Sequence, residues 1–246
     1  MRSFILEPPT KMTNIKLITF DLDDTFWDIT PVIIQAEKIS RAWIKQRLNA
    51  EIKWGSMEDF LKIRRQLVQE DSRLEYDLGL LRKRTITHHT QAHFGSDEEL
   101  KLFIEEAYEL FLAERHKVTF YDDVVDVLTK LSKTYKLGVL TNGNADVNLL
   151  GIGHLFDFSI ASSDVMSNKP DSAHFIKAKE ISGIEFINTL HIGDHPINDV
   201  KGAKDLGINT MWFNSQNLTW DLDDNPPVEL NHWSQFMNLL SLHHEQ

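Results

Sequence analysis

From Ile15 to Phe20 the chain is almost wholly apolar or β-branched (Ile15, Leu17, Ile18, Thr19, Phe20), the pattern of a buried strand. That run stops abruptly on three carboxylates, Asp21, Asp23 and Asp24, and the hydroxyl of Thr25. For the next ninety or so residues the period changes to helical, with Ile33, Ile34, Ala36, Ile39, Trp43, Ile44 and Leu48 at helical spacing. Similar periodicity covers Phe60 to Val68, Leu80 to His93 and Leu100 to Leu112, and Gly55, Gly79 and Gly95 fall between these stretches as punctuation. No strand pattern interrupts residues 28–115, which read as an all-helical insert.

From about residue 118 helices and strands alternate. The expected order is a helix over 124–132, a strand over 137–140, a short strand near 158–161 and a helix over 172–182. A strand over 189–192, a helix over 198–206 and a strand over 210–213 complete it. Such alternation implies a parallel sheet with right-handed crossovers, which the first strand must join. The fold class read from the pattern is therefore α/β, a doubly wound parallel-sheet core with an inserted helical domain. The expected division is residues 1–27 and 116–246 for the core and 28–115 for the insert.

Composition narrows the function. With 26 basic and 37 acidic residues the net charge is 26 − 37 = −11, which argues against non-specific binding to nucleic acid or to an anionic membrane. There is no cysteine, so disulfides, thiol catalysis and thiolate metal sites are excluded. No apolar run reaches membrane-spanning length, and the N-terminus lacks the apolar stretch of a secretion signal, so a cytoplasmic protein is expected. Residues 1–14 read as an extended leader broken by Pro8 and Pro9, with Met12 as an alternative start. Oligomeric state leaves no readable trace.

Carboxylates at the mouth of a buried strand are expensive unless a cation or hydrogen-bond donors hold them. In α/β sheets the carboxyl ends of the strands are also where ligands bind. A divalent metal beside a reacting group resolves both points. Helix capping by Asp and Thr is the plainer alternative. A calcium loop is excluded, because its sixth and twelfth positions here are Phe26 and Val32 rather than Gly and Glu.

Three later segments repeat the theme. The second strand ends in Thr141-Asn142-Gly143-Asn144, where Thr141 offers a hydroxyl and Gly143 lets backbone N–H groups approach an anion. Next, Asn168-Lys169-Pro170 precedes a helix that Pro170 is expected to open, aiming Lys169. The strand over 189–192 then runs into Gly193 and Asp194, with Asp199 five positions later. Two strand-end carboxylates side by side repel each other unless a metal bridges them or one keeps a proton.

In this order, Asp21-x-Asp23-x-Thr25, Thr141-Asn142, Lys169-Pro170 and Gly193-Asp194-x-x-x-x-Asp199 resemble the four motifs of the haloacid-dehalogenase-like hydrolase superfamily. The resemblance covers the chain from about residue 14, and the helical insert looks like the cap of the family's first subclass. The runs around Asp21, Thr141 and Asp194 are most similar to its flavin-mononucleotide and pyrimidine-precursor phosphatases of riboflavin metabolism. The resemblance implies Asp21 as nucleophile and metal ligand. Asp23 would be general acid and then base, with its backbone carbonyl on the metal. Asp194 would be the further ligand of an octahedral Mg²⁺, and Asp199 would stand behind it, orienting a water. Thr141, the Asn142 backbone and Lys169 would hold the phosphoryl oxygens. The implied partner is a small-molecule phosphate ester. A dehalogenase on this fold lacks the acid two residues after its nucleophile, so Asp23 favours phosphate esters. Phosphoglycolate, a sugar phosphate, phosphomutase chemistry and a silent binding protein on the same fold are the alternatives.

Several other residues draw the eye. His88, His89 and His93 lack an acidic partner at ligand spacing and read as a solvated helix face. His195 is a neighbour in the fourth motif rather than a catalyst. Trp27 is either a shield over the site or packing at the hinge. Arg82, Lys83 and Arg84, the insert's basic run, read as surface, with substrate contact the less favoured view. Loop residues near Gly55 and Gly79 are expected to matter more. Trp212, Trp220 and Trp233 read as packing.

Overall fold

The computed structural model describes residues 14–242, so the expectations for the leader lie outside the described residues. Strand β1 (Leu17–Phe20) is followed by the helices of the insert, α1 (Ile29–Leu48), α2 (Met57–Glu70), α3 (Leu78–Thr90) and α4 (Asp97–Arg115). Then come α5 (Val124–Leu131), β2 (Lys136–Thr141), β3 (Phe158–Ala161), the short α6 (Ser162–Val165) and α7 (Ala173–Ser182). Strand β4 (Thr189–Gly193), a π-helical turn (Pro196–Lys201), α8 (Gly202–Lys204), β5 (Asn209–Phe213), β6 (Val228–Leu230) and α9 (Phe236–Leu242) complete the order.

Among the described residues, six strands form one parallel sheet in the order β3-β2-β1-β4-β5-β6. Strand β1 therefore lies at the centre, with Phe20 level with Val139 of β2 and Ile192 of β4. One face is covered by α5 and α9 through a cluster that includes Phe20, Leu128, Val139, Ile192, Trp233 and Phe236. The other is covered by α7 and α8, where Leu140, Ile160, Phe175, Ala203 and Ile208 meet. Central strands buried on both faces explain why β1, β4 and β5 read as continuous rather than alternating apolar runs.

The insert has its own apolar centres, one around Ile44, Ile86 and Phe103 and one around Leu67, Leu74 and Leu81. Its helices begin on short polar side chains: Asp28, Ser56, Asp77 and Ser96 each accept from a backbone N–H of the first turn. Ser56 and Asp59 form a reciprocal capping box.

Four expectations change. Gly79 is not a boundary; it sits in the first turn of α3, where an added Cβ would meet the Tyr108 hydroxyl at 2.4 Å. The helix expected over 198–206 starts at Pro196 as a π turn and becomes α only at Gly202. Pro170 does not open α7, which begins at Ala173, and the Lys169–Pro170 peptide is cis. Strand β6 was not foreseen, because three residues after Pro226 and Pro227 carry no measurable period. The tryptophans do pack: Trp212 and Trp233 are buried, and Trp220 lies 5.2 Å from Trp212 between ring centroids.

Gly138 faces Phe158 across the β2–β3 pair, and a Cβ there would lie 2.3 Å from the phenyl ring. Gly138→Ala is expected to lower unfolding stability by about 1–3 kcal/mol, the usual cost of overpacking. Urea denaturation monitored by circular dichroism checks this; an unchanged midpoint would mean that the ring moves aside freely.

Candidate active site

The sheet register decides which side chains meet. Because β1 lies between β2 and β4, the segments that follow all three strands open on one edge. Asp21 leaves β1 with its N–H donating to the Ile192 carbonyl at 2.9 Å, and the chain then turns tightly, Phe26 N–H donating to the Leu22 carbonyl at 2.8 Å. Asp24 takes φ 61°, the left-handed region that Asp tolerates better than most residues. Its carboxylate accepts from Ile29 N–H at 3.0 Å, so the capping reading holds for Asp24. The buried Thr25 hydroxyl lies 3.4 Å from Asp21 Oδ2 and 3.3 Å from Asp194 Oδ1, and its carbonyl accepts from Trp233 Nε1.

Lys169 is 3 % exposed and is the hub of the edge. Its ammonium donates to Asp21 Oδ1 at 2.7 Å, to Asp199 Oδ1 at 2.6 Å and to the Leu140 carbonyl at 2.6 Å. Three donors meet three acceptors, which fixes the head group. Burial alone would lower its pKa, but the facing carboxylates of Asp199 and Asp21 raise it above the ordinary lysine value. The loop that carries Lys169 is itself tied down by Asn142, whose amide accepts from Lys169 N–H at 2.7 Å and donates to its carbonyl at 2.9 Å. The Asn142 side chain is thereby occupied, and what it has left for a ligand is its backbone. The Thr141 hydroxyl accepts from Gly143 N–H at 2.9 Å and keeps its own proton to donate.

Carboxylate oxygens of Asp21, Asp194 and Asp199 all lie within 4.8 Å of one another, making a three-carboxylate cluster among the described residues. Burial would raise the Asp199 carboxyl, but Lys169 and His191 hold it well below the usual range. His191 Nε2 is 3.3 Å from Asp199 Oδ1, and His191 Nδ1 is 2.9 Å from the Thr19 hydroxyl, so strand β4 braces Asp199 from below. Burial and the charges of Asp199 and Asp24 push Asp194 up to about 7, and burial with the same kind of repulsion raises Asp21 despite Lys169. Three carboxylates therefore share one ammonium. Oxygen donors crowded by uncompensated negative charge are what a hard divalent cation such as Mg²⁺ requires, so the donor set fits it. His195 caps the π turn, its Nδ1 accepting from Ile197 and Asn198 N–H at 3.1 Å.

The Asp23 carboxylate is held apart from this cluster. Oδ1 accepts from Trp27 Nε1 at 3.1 Å, and Arg115 Nη2 donates to Oδ1 at 3.1 Å and Oδ2 at 2.8 Å. Burial raises its pKa against the opposing pull of Arg115. Gly143 makes room for it, since a Cβ there would lie 2.7 Å from Asp23 Oδ2. Trp27 is fully buried against Phe120 and Phe26, so it is a packing residue that also orients Asp23. Arg115 went unforeseen: at the end of a helix an arginine is an ordinary dipole partner, and nothing local marks it.

Two cavities meet at Asp23, Leu78 and Gly143. The smaller, about 300 Å³, is the anionic cleft that holds Asp21, Thr141, Lys169, Asp194 and Asp199. The larger, about 580 Å³, lies between the insert and the sheet edge and has aromatic walls at Trp54, Phe60 and Phe111. Loop residues Gly55 and Ser56 line it, and so does Arg82, which corrects the reading of the basic run as surface. Arg82 pairs with Glu37, and its guanidinium carbon lies 3.3 Å from the centre of the Phe111 ring. Lys83 and Arg84 instead line a groove on another side of the insert, with Asp71 and Glu105. His88 and His93 are exposed and His89 packs 4.9 Å from Trp54, so the histidines gather no metal site among the described residues. No helix of the described residues is long and apolar enough to cross a membrane.

The chain is similar to proteins of known name over most of its length. Over 231 residues the chain is 28% identical to the 5-amino-6-(5-phospho-D-ribitylamino)uracil phosphatase of Escherichia coli, covering 92% of this chain and 97% of that protein. It is 27% identical over 207 residues to the glyceraldehyde 3-phosphate phosphatase of Methanopyrus kandleri, covering 80% and 83%. A crystal structure described as a 2-haloacid dehalogenase from Pseudomonas syringae superposes with a TM-score of 0.86 at 36% identity, over 93% of this chain and 99% of that one. The family model for haloacid dehalogenase-like hydrolases matches residues 15–207, and the chain belongs to that family of enzymes.

Proposed function

We propose that this protein is a Mg²⁺-dependent phosphomonoesterase that works through an aspartyl-phosphate, on an ester with a large leaving alcohol such as a ribityl phosphate or flavin mononucleotide. The observation that carries the reading is Asp23: a carboxyl group at the rim of the cleft that holds Asp21, facing the cavity from which a leaving group would depart. The phosphatases among its relatives support it.

In this reading Asp21 attacks phosphorus, the P–O bond to the alcohol breaks, and Asp23 gives its proton to the departing oxygen. Asp23, now a carboxylate, takes a proton from water as that water attacks the aspartyl-phosphate, releasing phosphate and restoring Asp21. Lys169 keeps the Asp21 carboxylate aimed and offsets its repulsion toward the incoming dianion. Thr141 and the Asn142 backbone N–H receive phosphoryl oxygens, where charge is spread in the transition state. Asp21 and Asp194, with Asp199 at the same cluster and the Asp23 carbonyl, would hold Mg²⁺. When bound, the ion supplies positive charge to the phosphoryl oxygens and neutralises the carboxylates. The helical insert acts as a cap that selects the leaving group, and the proposed division is residues 28–115 against the rest.

The 580 Å³ cavity favours a bulky alcohol with a flat, hydrogen-bonding part over phosphoglycolate, which would leave its aromatic walls unused. Dehalogenation is the second reading, supported by the 36% identical structure described as a 2-haloacid dehalogenase. Asp23 argues against it, since displacement of a halide needs no proton donor.

A chelator should abolish hydrolysis of p-nitrophenyl phosphate and added Mg²⁺ should restore it, while (S)-2-chloropropionate is left untouched; halide release in place of phosphate release would reverse the assignment. Asp21→Asn should lose at least roughly 10⁴-fold in kcat, as removal of one member of a covalent mechanism does. Asp23→Asn should cost on the order of 10²–10⁴, most for esters of poorly acidic alcohols. Steady-state phosphate release measures both, and near-normal turnover by Asp21→Asn would sink the mechanism. Arg82→Gln should raise KM for flavin mononucleotide while changing acetyl phosphate hydrolysis little, because the smaller ester does not reach the cavity. Equal effects on the two substrates would place the leaving group elsewhere.

A further inference from the structure

Arg115 is the last residue of α4, where the insert returns to the core, and its side chain is 1 % exposed. It joins three segments distant in sequence. Through Nη2 it grips both oxygens of Asp23, after β1; through Nε it donates to Asn144 Oδ1 at 3.0 Å, after β2; and its backbone belongs to the insert. Its remaining nitrogen, Nη1, is buried with no hydrogen-bond partner among the described residues. A buried unpaired donor is a standing cost that a residue retained only for stability does not need.

We propose that Arg115 is a positioning residue for proton transfer: it fixes the Asp23 carboxyl toward the departing alcohol and ties that alignment to the seating of the insert's last helix on the core. The proposal rests on the phosphatase reading above. Asp23 itself touches the leaving group; Arg115 acts through it. With Trp27 Nε1 on one oxygen and Arg115 spanning both, and with Gly143 leaving space beside Oδ2, the carboxyl is held from two sides. Of these two supports, Arg115 is the one carried by the insert. A displacement of α4 would draw the guanidinium away from both Asp23 and Asn144 at once. Proton delivery is then confined to the arrangement in which the insert covers the cleft, where a substrate is shielded from bulk water.

The test exploits the leaving group. A p-nitrophenolate departs without a proton, whereas an alkoxide needs one. The quotient kcat/KM covers the steps up to alcohol departure, so breakdown of the aspartyl-phosphate does not enter. Arg115→Met, compared with wild type on p-nitrophenyl phosphate and on glycerol 2-phosphate with Mg²⁺ present, should lose on the order of tenfold or more in kcat/KM on the alkyl ester beyond its loss on the aryl ester, within the range of lost proton-transfer assistance. Arg115→Lys, which keeps the charge, should recover part of that selective loss. Should Arg115→Met fail to fold, Asn144→Ala removes the Nε contact alone and should give a smaller loss in the same sense. Equal losses on both esters, or none, would refute the positioning role while leaving the phosphatase reading intact. A wild-type protein that hydrolyses neither ester would remove both.

Discussion

Everything at the sheet edge depends on one buried ammonium. Lys169 spends its three protons on Asp21, Asp199 and the Leu140 carbonyl. Taking charges out of water costs several kcal/mol per ion, a penalty met only when the partners are close and every donor is satisfied. That condition explains much of the surrounding architecture. The carbonyl comes from β2, the carboxylates come from β1 and the turn after β4, and the lysine loop is clamped by Asn142 from the end of β2. Only a sheet with β1 between β2 and β4 brings these groups within reach.

The same edge separates two carboxyl groups that stand two residues apart. Asp21 faces inward to the ammonium and the other carboxylates; Asp23 faces a guanidinium, an indole N–H and the opening to the larger cavity. The tight turn after β1 and the left-handed backbone of Asp24 turn the chain between them. On the proposed mechanism, different surroundings let one carboxyl serve as a nucleophile and its near neighbour as a proton donor, the general way a fold divides acid from base. On the proposed function, the anionic cleft recognises what every phosphate ester shares, whereas the cavity under the insert meets what distinguishes one ester from another. Its aromatic walls and its Glu37–Arg82 pair belong to the insert, so substrate choice can vary without disturbing the chemistry below.

Much of this was legible along the chain because it is local. An apolar run that ends in Asp21-Leu22-Asp23-Asp24-Thr25 announces a strand and a charged mouth together, and the change of period after Thr25 announces the helical insert. Strand ends at Thr141 and Gly193-Asp194 marked the remaining corners of the site, since strand, turn and functional residue lie within a few positions of one another. The limits appeared where the signal was short or had two meanings: β6 is three residues long, and Gly79 is a helix residue that reads as a breaker.

What the sequence determined by itself was therefore the alternation of elements, the parallel sheet and the carboxylates at its edge, because each follows from the period of apolar positions and the cost of burying charge. Tertiary structure alone decided the partners. Asp23 and Arg115 are separated by 92 positions, Asp21 and Lys169 by 148, and Glu37 and Arg82 by 45. An arginine at a helix end or within a basic run looks like solvated surface, and no periodicity distinguishes one turned inward. The reason is physical: a side chain's charge partner is fixed by how α1, α3 and α4 pack on one another and over the sheet, and that packing is the sum of many contacts none of which is adjacent in sequence.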